Sequence, residues 1–232
     1  MKHTAIALTA AFGLALVLAA PGKEPAPNPT SPAGKDAGWA LLFDGKTLAG
    51  WNNWKTKKPL EEGGWKVVDG TLALVAPGAG DLYTSVPYES YELSLEWKTE
   101  GNSGILLRVD PAQGGPVYKV APEMQVDKNA GTSVHSPGSL FDIFGMDPAP
   151  TVHADGWNKV RILVEGDTFT HWLNGTKLYS YTIGSEDWKR RVAGSKWKNT
   201  KGYGETRKGH IGLQDHGAKV AYRNLKIRVI GE

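Results

Sequence analysis

The chain has 232 residues, 27 Lys plus Arg against 24 Asp plus Glu, and no cysteine, a length that suits one sizeable domain with an unstapled core. Without cysteine there are no disulfides, thiolate metal sites, iron–sulfur clusters, cysteine nucleophiles or lipid-modified amino-terminal cysteine. A formal charge of +3 is too small for the phosphate neutralisation that nucleic-acid binding demands, so no nucleic-acid partner is expected.

Residues 1–20 read as a secretory signal peptide: Lys2 and His3 precede an apolar run from Ala5 to Ala20, with Ala19 and Ala20 offering the cleavage point. An uncleaved anchor is the other reading of the same run. Export to a periplasm or the extracellular space follows from the first, with no stable membrane insertion after processing. Residues 21–37 form a Pro-rich flexible tether (Pro21, Pro25, Pro27, Pro29, Pro32) that cannot bury enough apolar surface to order itself. Residues 38–232 are then expected to be a single β-sandwich domain.

From Trp39 onward the apolar pattern alternates, with turns between short runs. Trp65 to Val68, Asp69-Gly70 and Thr71 to Val75 spell a hairpin. In the strand Tyr91 to Trp97, Tyr91, Leu93, Leu95 and Trp97 share one face and Glu92, Ser94 and Glu96 the other. Ile105 to Val109, Val117 to Val126 and Lys159 to Glu165 read as further strands. Gly166-Asp167 and Asn174-Gly175 then turn the chain into Thr168 to Leu173 and Thr176 to Thr182. Residues 188–208 are basic and irregular, with Trp188 and Trp197 interleaved; they read as a solvated loop opening with a helical turn and pinned by the two indoles. Gly209 to Gln214 and Lys219 to Ile230 close the domain. About a dozen short strands at this spacing indicate an all-β antiparallel sandwich or barrel with no long helix.

A sandwich core takes one face of each strand, so polar residues stacked on the other face need their own explanation. With Met124, Val126, Ile211 and Leu213 facing inward, Glu123, Gln125, Asp127, His210 and Gln214 face out, and Asp215-His216 follows at the strand end. Asn102 sits in the turn before a strand whose outer face ends in Arg108. An acid, amides, an imidazole and a guanidinium on one face suit a neutral polyhydroxylated ligand, an oligosaccharide or glycoside; solvent-facing cross-strand pairs are the plain alternative. Asp215-His216 is the sharpest acid–base candidate, because imidazole ordinarily titrates near neutrality. His135 and His153, in Gly/Pro-rich loops, are rim candidates, and Trp197 a candidate sugar platform. No H-E-x-x-H, P-loop or G-x-S-x-G occurs. Calcium-loop spacing of acids is absent too; no cofactor is assigned, and a divalent cation held by loop carbonyls stays open.

Ten segments occur in a telling order: Leu42-Phe-Asp-Gly-Lys-Thr-Leu-Ala-Gly-Trp51, Trp65-Lys-Val-Val-Asp-Gly70, Gly80-Asp-Leu-Tyr-Thr84, Tyr91-Glu-Leu-Ser-Leu-Glu-Trp97, Gly101-Asn-Ser-Gly-Ile105, Glu123-Met-Gln125, Trp157-Asn158, Trp172-Leu-Asn-Gly175, Ile211-Gly-Leu-Gln-Asp-His-Gly217 and Arg223-Asn-Leu-Lys-Ile227. Together they resemble the bacterial 3-keto-disaccharide hydrolase domain family across residues 38 to 231. Pro122 before Glu123 and the loop from Asp110 to Pro116 depart from the family pattern. The resemblance implies a concanavalin A-like jelly roll, cleavage of glycosides already oxidised at C3, and a functional link to a sugar 3-dehydrogenase. It further implies a catalytic set of His216, Asp215 and Glu123, with Arg108 or a bound cation at the enolate and Gln125, Gln214, Glu96, Asn102, His153 and Trp197 around the sugar. Two rivals remain: a non-catalytic carbohydrate-binding or adhesion module, and a laminarinase-type glucanase echoed in Glu92-Leu-Ser-Leu-Glu96. A retaining glucanase pair needs carboxyls about 5–5.5 Å apart, which a regular strand does not give to residues four apart.

Overall fold

The computed structural model describes residues 38–119 and 121–231; residues 1–20, expected to be a signal peptide, and 21–37, expected to be a tether, lie outside the described residues. Alternation becomes strand wherever turn residues release the chain. The strands are β1 (Ala40–Leu41), β2 (Trp51–Asn53), β3 (Trp65–Val68), β4 (Thr71–Leu74), β5 (Leu82–Thr84), β6 (Tyr91–Thr99) and β7 (Ser103–Val109). After them come β8 (Glu123–Val126), β9 (Asn158–Glu165), β10 (Thr168–Leu173), β11 (Thr176–Thr182), β12 (His210–Leu213) and β13 (Val220–Val229). Asp69 and Gly70 both take positive φ (48° and 73°), the conformation a two-residue hairpin turn between right-twisted strands requires.

Two antiparallel sheets face each other. One runs β11-β10-β9-β6-β13-β4-β3, with β1 also paired to β13, and the other runs β2-β5-β12-β7-β8. Between them lie the inward faces of both: Tyr91, Leu93, Leu95 and Trp97 from β6, Ile105 and Leu107 from β7, Met124 and Val126 from β8, and Ile211 and Leu213 from β12, all buried. This is the antiparallel sandwich that the alternation indicated and the jelly roll that the resemblance implied. A second apolar cluster of Trp54, Tyr83, Leu106, Val109, Val117 and Ala121 covers part of the opposite face of the five-stranded sheet.

Two local expectations are corrected. Val117 to Val126 is not one strand: Val117–Lys119 is a single 3-10 turn, and β8 starts only at Glu123. Pro116 and Pro122 bracket the segment, and a proline has no N–H to give a ladder. The basic segment carries more than one helical turn, for Glu186–Ala193 is an α-helix, α1. The Ser185 side chain caps it by accepting from the Trp188 N–H (3.1 Å), and Glu186 and Asp187 sit in its first turn, where the helix dipole favours acids. Trp188 is buried against Tyr181 and Tyr203, and Tyr203 stacks on Trp197 at 4.9 Å, so the indoles do pin the segment. Among the described residues, no helix is long and apolar enough to cross a membrane.

Candidate active site

The site grows from cross-strand rows on the five-stranded sheet. Gly104 of β7 faces Gln125 of β8, and Leu106 faces Glu123. Gln214 closes the first row by donating its N–H to the Gly104 carbonyl (3.0 Å). A Cβ on Gly104 would lie 2.8 Å from both Cγ and Cδ of Glu123, so the glycine is the space into which the Glu123 carboxyl leans. Gly104→Ala is therefore expected to displace that side chain and lower kcat at least tenfold with the β-sheet circular-dichroism spectrum unchanged; an alanine variant with parental kcat would contradict this.

Above these rows is a hollow of about 240 Å³ lined by Asn102, Tyr118, Glu123, Phe141, Lys196, Gln214 and His216. Glu123 is 4 % exposed. Its pKa is raised to about 8, chiefly by burial, with nearby Asp81 adding to the rise and Lys196 and a 3.3 Å hydrogen bond from Gln214 Nε2 opposing it. At neutral pH this carboxyl is mostly protonated. Burial also lowers the pKa of Lys196, against the pull of Glu123 and Asp142. The Lys196 ammonium lies 3.9 Å from the Phe141 ring centroid and 4.4 Å from that of Trp197, a cation–π seat that fixes its position. Its backbone N–H donates to Asp142 (2.6 Å), whose other oxygen faces exposed His135 at 3.0 Å; the His135 ring also packs on Phe141 of the lining, with centroids 4.6 Å apart, without lining the hollow itself. Gln125 Nε2 donates to Asn102 (3.0 Å), while Oε1 of Gln125 and Oε1 of Gln214 are buried without partners. Unpaired buried acceptors each cost about 1–3 kcal/mol; Gln214 lines the hollow, whereas Gln125, 2 % exposed, lies outside its lining and holds Asn102 in place.

His216 is exposed on the rim, and no hydrogen bond engages its ring among the described residues. Asp215 does not orient that ring by a hydrogen bond: its carboxylate accepts the N–H of Gly80 (2.8 Å) and of Gly217 (3.2 Å), bracing the loop that carries His216. Asp81 is the acid that sequence reasoning passed over, although it lies within Gly80-Asp-Leu-Tyr-Thr84. Its Oδ1 accepts the Asp215 N–H (2.8 Å). Burial raises its pKa to about 6, with Asp215 adding to the rise and the Asp215 N–H and the charges of His216 and Lys55 opposing it.

Four expected sugar contacts fall elsewhere. Arg108 has φ +59° in a bulge opposite β12, which turns its side chain away from the hollow and into the sandwich. There its Nη2 donates to Gly166 O (2.6 Å) and Asp167 (2.9 Å), its Nη1 to Gly204 O (3.3 Å), and its guanidinium lies 4.9 Å from the Phe169 ring centroid. Arg108 therefore clamps two loops, and Lys196 is the cation of the hollow. Glu96 lies on the outer face of the eight-stranded sheet, paired to Arg223 (2.7 Å). His153 is exposed in a loop tied to Asn158, outside the hollow's lining. Trp197 is 3 % exposed and supports Lys196 from beneath; it is no open platform. Glu92, the leading acid of the glucanase reading, is on the same outer face as Glu96 and is held by Arg161 and Arg228, so its carboxylate is spent on ion pairs. His210 packs edge-on to Tyr83 at 5.2 Å. Among the described residues, no group of three or more His, Asp or Glu is arranged to hold a metal ion.

The chain is similar to known proteins over most of its length. A 3-keto-disaccharide hydrolase of Bacteroides thetaiotaomicron is 29 % identical over 231 residues, covering 83 % of this chain and 79 % of that protein. Two crystal structures of presumptive glycosyl hydrolases from Parabacteroides distasonis share the fold. One is 30 % identical with a TM-score of 0.75, covering 89 % of this chain and all of its own. The other is 27 % identical with a TM-score of 0.66, covering 83 % of this chain and 99 % of its own. Residues 38–228, the sandwich from its first strand to the penultimate residue of β13, match one family, and the chain belongs to the 3-keto-alpha-glucoside-1,2-lyase-like domain family.

Proposed function

We propose that the protein is a glycoside hydrolase that cleaves 3-keto-glycosides, 3-keto-disaccharides above all, by elimination followed by hydration. The family description names a lyase step and the Bacteroides relative a hydrolysis; the two describe one reaction when water adds to the eliminated product. The observation that carries the reading is the meeting, in one hollow, of a carboxyl kept neutral by burial, a seated ammonium and a solvent-exposed imidazole.

A ketone at C3 acidifies the proton on C2. His216 takes that proton, and the electron pair moves onto the C3 oxygen as an enolate. Glu123, protonated, donates a hydrogen bond to that oxygen, and Lys196 stabilises its charge, which is worth most in a site shielded from water. The enolate then re-forms the C3 carbonyl, a C1–C2 double bond appears, and the aglycone leaves from C1. Water adds at C1, the proton returns to C2, and the net change is hydrolysis. Asn102 and Gln214 offer amide groups to the ring hydroxyls, Gln125 holds Asn102, and Asp215 braces the His216 loop.

The test follows aglycone release from a purified 3-keto-disaccharide. The parent protein is expected to release it, and His216→Ala and Lys196→Met to lose about 10²- to 10⁴-fold in kcat, the span of one acid–base or oxyanion group. Parental rates in His216→Ala would remove the assigned base. Binding of unmodified glycan with no release would favour a binding module. Because the substrate carries a ketone, an enzyme oxidising sugars at C3 must supply it, and equal activity on the unoxidised disaccharide would contradict that link. Export to a periplasm or the extracellular space belongs to the same proposal and rests on the run from Ala5 to Ala20; an intact amino terminus on cytoplasmic protein would overturn it.

A further inference from the structure

The hollow above Glu123, at about 240 Å³, falls below the roughly 300–1,000 Å³ of pockets that enclose whole small molecules. It has room for one sugar ring, so a disaccharide must continue elsewhere. The adjoining space lies across the chain segment 214–217. Gln214 and His216 line the first hollow, and Asp215 and Gly217, alternating with them, line a second of about 330 Å³. The second is walled by Trp54, Lys55, Asp81, Gly115, Pro116 and Asp215. Trp54 is held in place by donating Nε1–H to Gly115 O (3.0 Å) and by edge-to-face contact with Tyr83 (6.0 Å). The Lys57 ammonium covers one face of the Trp54 ring (2.8 Å to the centroid), so the carboxylates of Asp81 and Asp215 are what suit a second pyranose here, whose hydroxyls donate to oxygen acceptors.

Asp81 lines the second hollow, and its carboxyl is within electrostatic reach of His216 and Glu123, which line the first. Among the described residues its hydrogen-bond partner is the Asp215 N–H, on Oδ1. We propose that the second hollow is the subsite of the departing sugar and that Asp81 delivers the proton to its glycosidic oxygen. This rests on the 3-keto-glycoside reading and deepens it. As the enolate pair closes the C3 carbonyl, the C2–C3 π pair becomes the C1–C2 double bond. The C1–O pair stays on oxygen, which takes the Asp81 proton. Asp81, now a carboxylate, removes a proton from the water that bonds to C1, and the imidazolium of His216 returns a proton to C2, so both groups regain their starting states.

The experiment compares three substrates sharing a 3-keto-glucosyl group: a disaccharide, a 4-nitrophenyl glycoside and a methyl glycoside. Nitrophenolate leaves without a proton; a sugar alkoxide does not. Asp81→Asn, which keeps an acceptor for the Asp215 N–H, is expected to lose about 100-fold or more in kcat/KM on the disaccharide and less than about fivefold on the nitrophenyl substrate, the effect of one general acid. Retained nitrophenyl activity also shows that the variant is folded. Equal losses on both substrates would overturn the assignment of Asp81. Pro116→Trp, at an exposed rim position, fills the second hollow without entering the core. It is expected to raise KM for the disaccharide at least tenfold and leave the methyl glycoside unchanged; an unchanged disaccharide KM would overturn the subsite. Failure of the parent protein on all three substrates would sink the underlying reading instead.

Discussion

Glu123→Gln is expected to lose about 10³-fold in kcat and yet melt at a higher temperature than the parent at pH 7. The loss follows from replacing a carboxylic O–H donor at the enolate oxygen with a weaker amide N–H donor. The gain follows from linkage. Glu123 has an ordinary carboxyl pKa of 4.5 in the unfolded chain and about 8 in the folded one, chiefly because burial penalises its charge. The folded state thus holds a proton that the unfolded state releases. Stability from this group is complete below pH 4.5 and is lost progressively as pH rises toward 8. At 1.36 kcal/mol per unit, the cost at pH 7 is about 3 kcal/mol, or several degrees of melting temperature for a domain of this size. Glutamine never ionises, so its melting temperature should stay flatter across that window, and it can keep its contact with Gln214. Thermal melts of both proteins from pH 4 to 9, with kcat on the 3-keto-disaccharide, would decide the matter. Parallel pH profiles would show that Glu123 is not held neutral.

His171→Phe should produce the second large effect, at the acid end. His171 is fully buried in β10, stacked on Tyr179 at 4.8 Å and near Tyr181 at 5.6 Å, with neither ring nitrogen hydrogen-bonded. Burial lowers its pKa from 6.5 to about 3. Here the unfolded state binds the extra proton, so the sign is opposite to that of Glu123. The contribution is whole above pH 6.5 and declines as pH falls toward 3, reaching about 3 kcal/mol lost at pH 4. Phenylalanine keeps the stacked ring and removes two unsatisfied polar atoms. It is therefore expected to stabilise modestly at pH 7 and by several kcal/mol more at pH 4, in urea titrations at each pH. A stability gain that does not grow between pH 7 and pH 4 would mean that the imidazole is protonated in the fold. Between them, the two residues confine greatest stability to mildly acidic pH, the first penalising alkaline solutions and the second acidic ones.

Neither effect is visible in the chain alone, because Glu123 and His171 each sit in a short alternating run that says only which face a side chain takes. The outward face of β8 was legible, and so was the company of Gln125 and Gln214. That this face is itself covered, so that a carboxyl there is 4 % exposed, depends on the loops carrying Tyr118, Phe141 and Lys196 folding over it. Lys196 lay in plain view within a basic segment, but nothing local sets it apart from Lys198 or Lys201. Only its seat on Phe141 and Trp197 does. Asp81 was likewise present in a recognised segment; its partner Asp215 is remote in sequence and meets it through the pairing of β5 with β12.

What the amino-acid sequence determined by itself was what has a short period: most of the longer strands, the tight turns at Asp69-Gly70 and Asn174-Gly175, the inward and outward faces of most strands, and a motif order specific enough to mark the family. Strand period and turn chemistry act over a few residues, so they can be read from a few residues. Only the tertiary structure decided which polar groups share a hollow. The bulge at Arg108 reverses a side chain that simple alternation would have aimed at the ligand, and Glu96 belongs to the sheet facing away. Such outcomes turn on backbone irregularities and on packing between distant segments, whose energies no local pattern encodes.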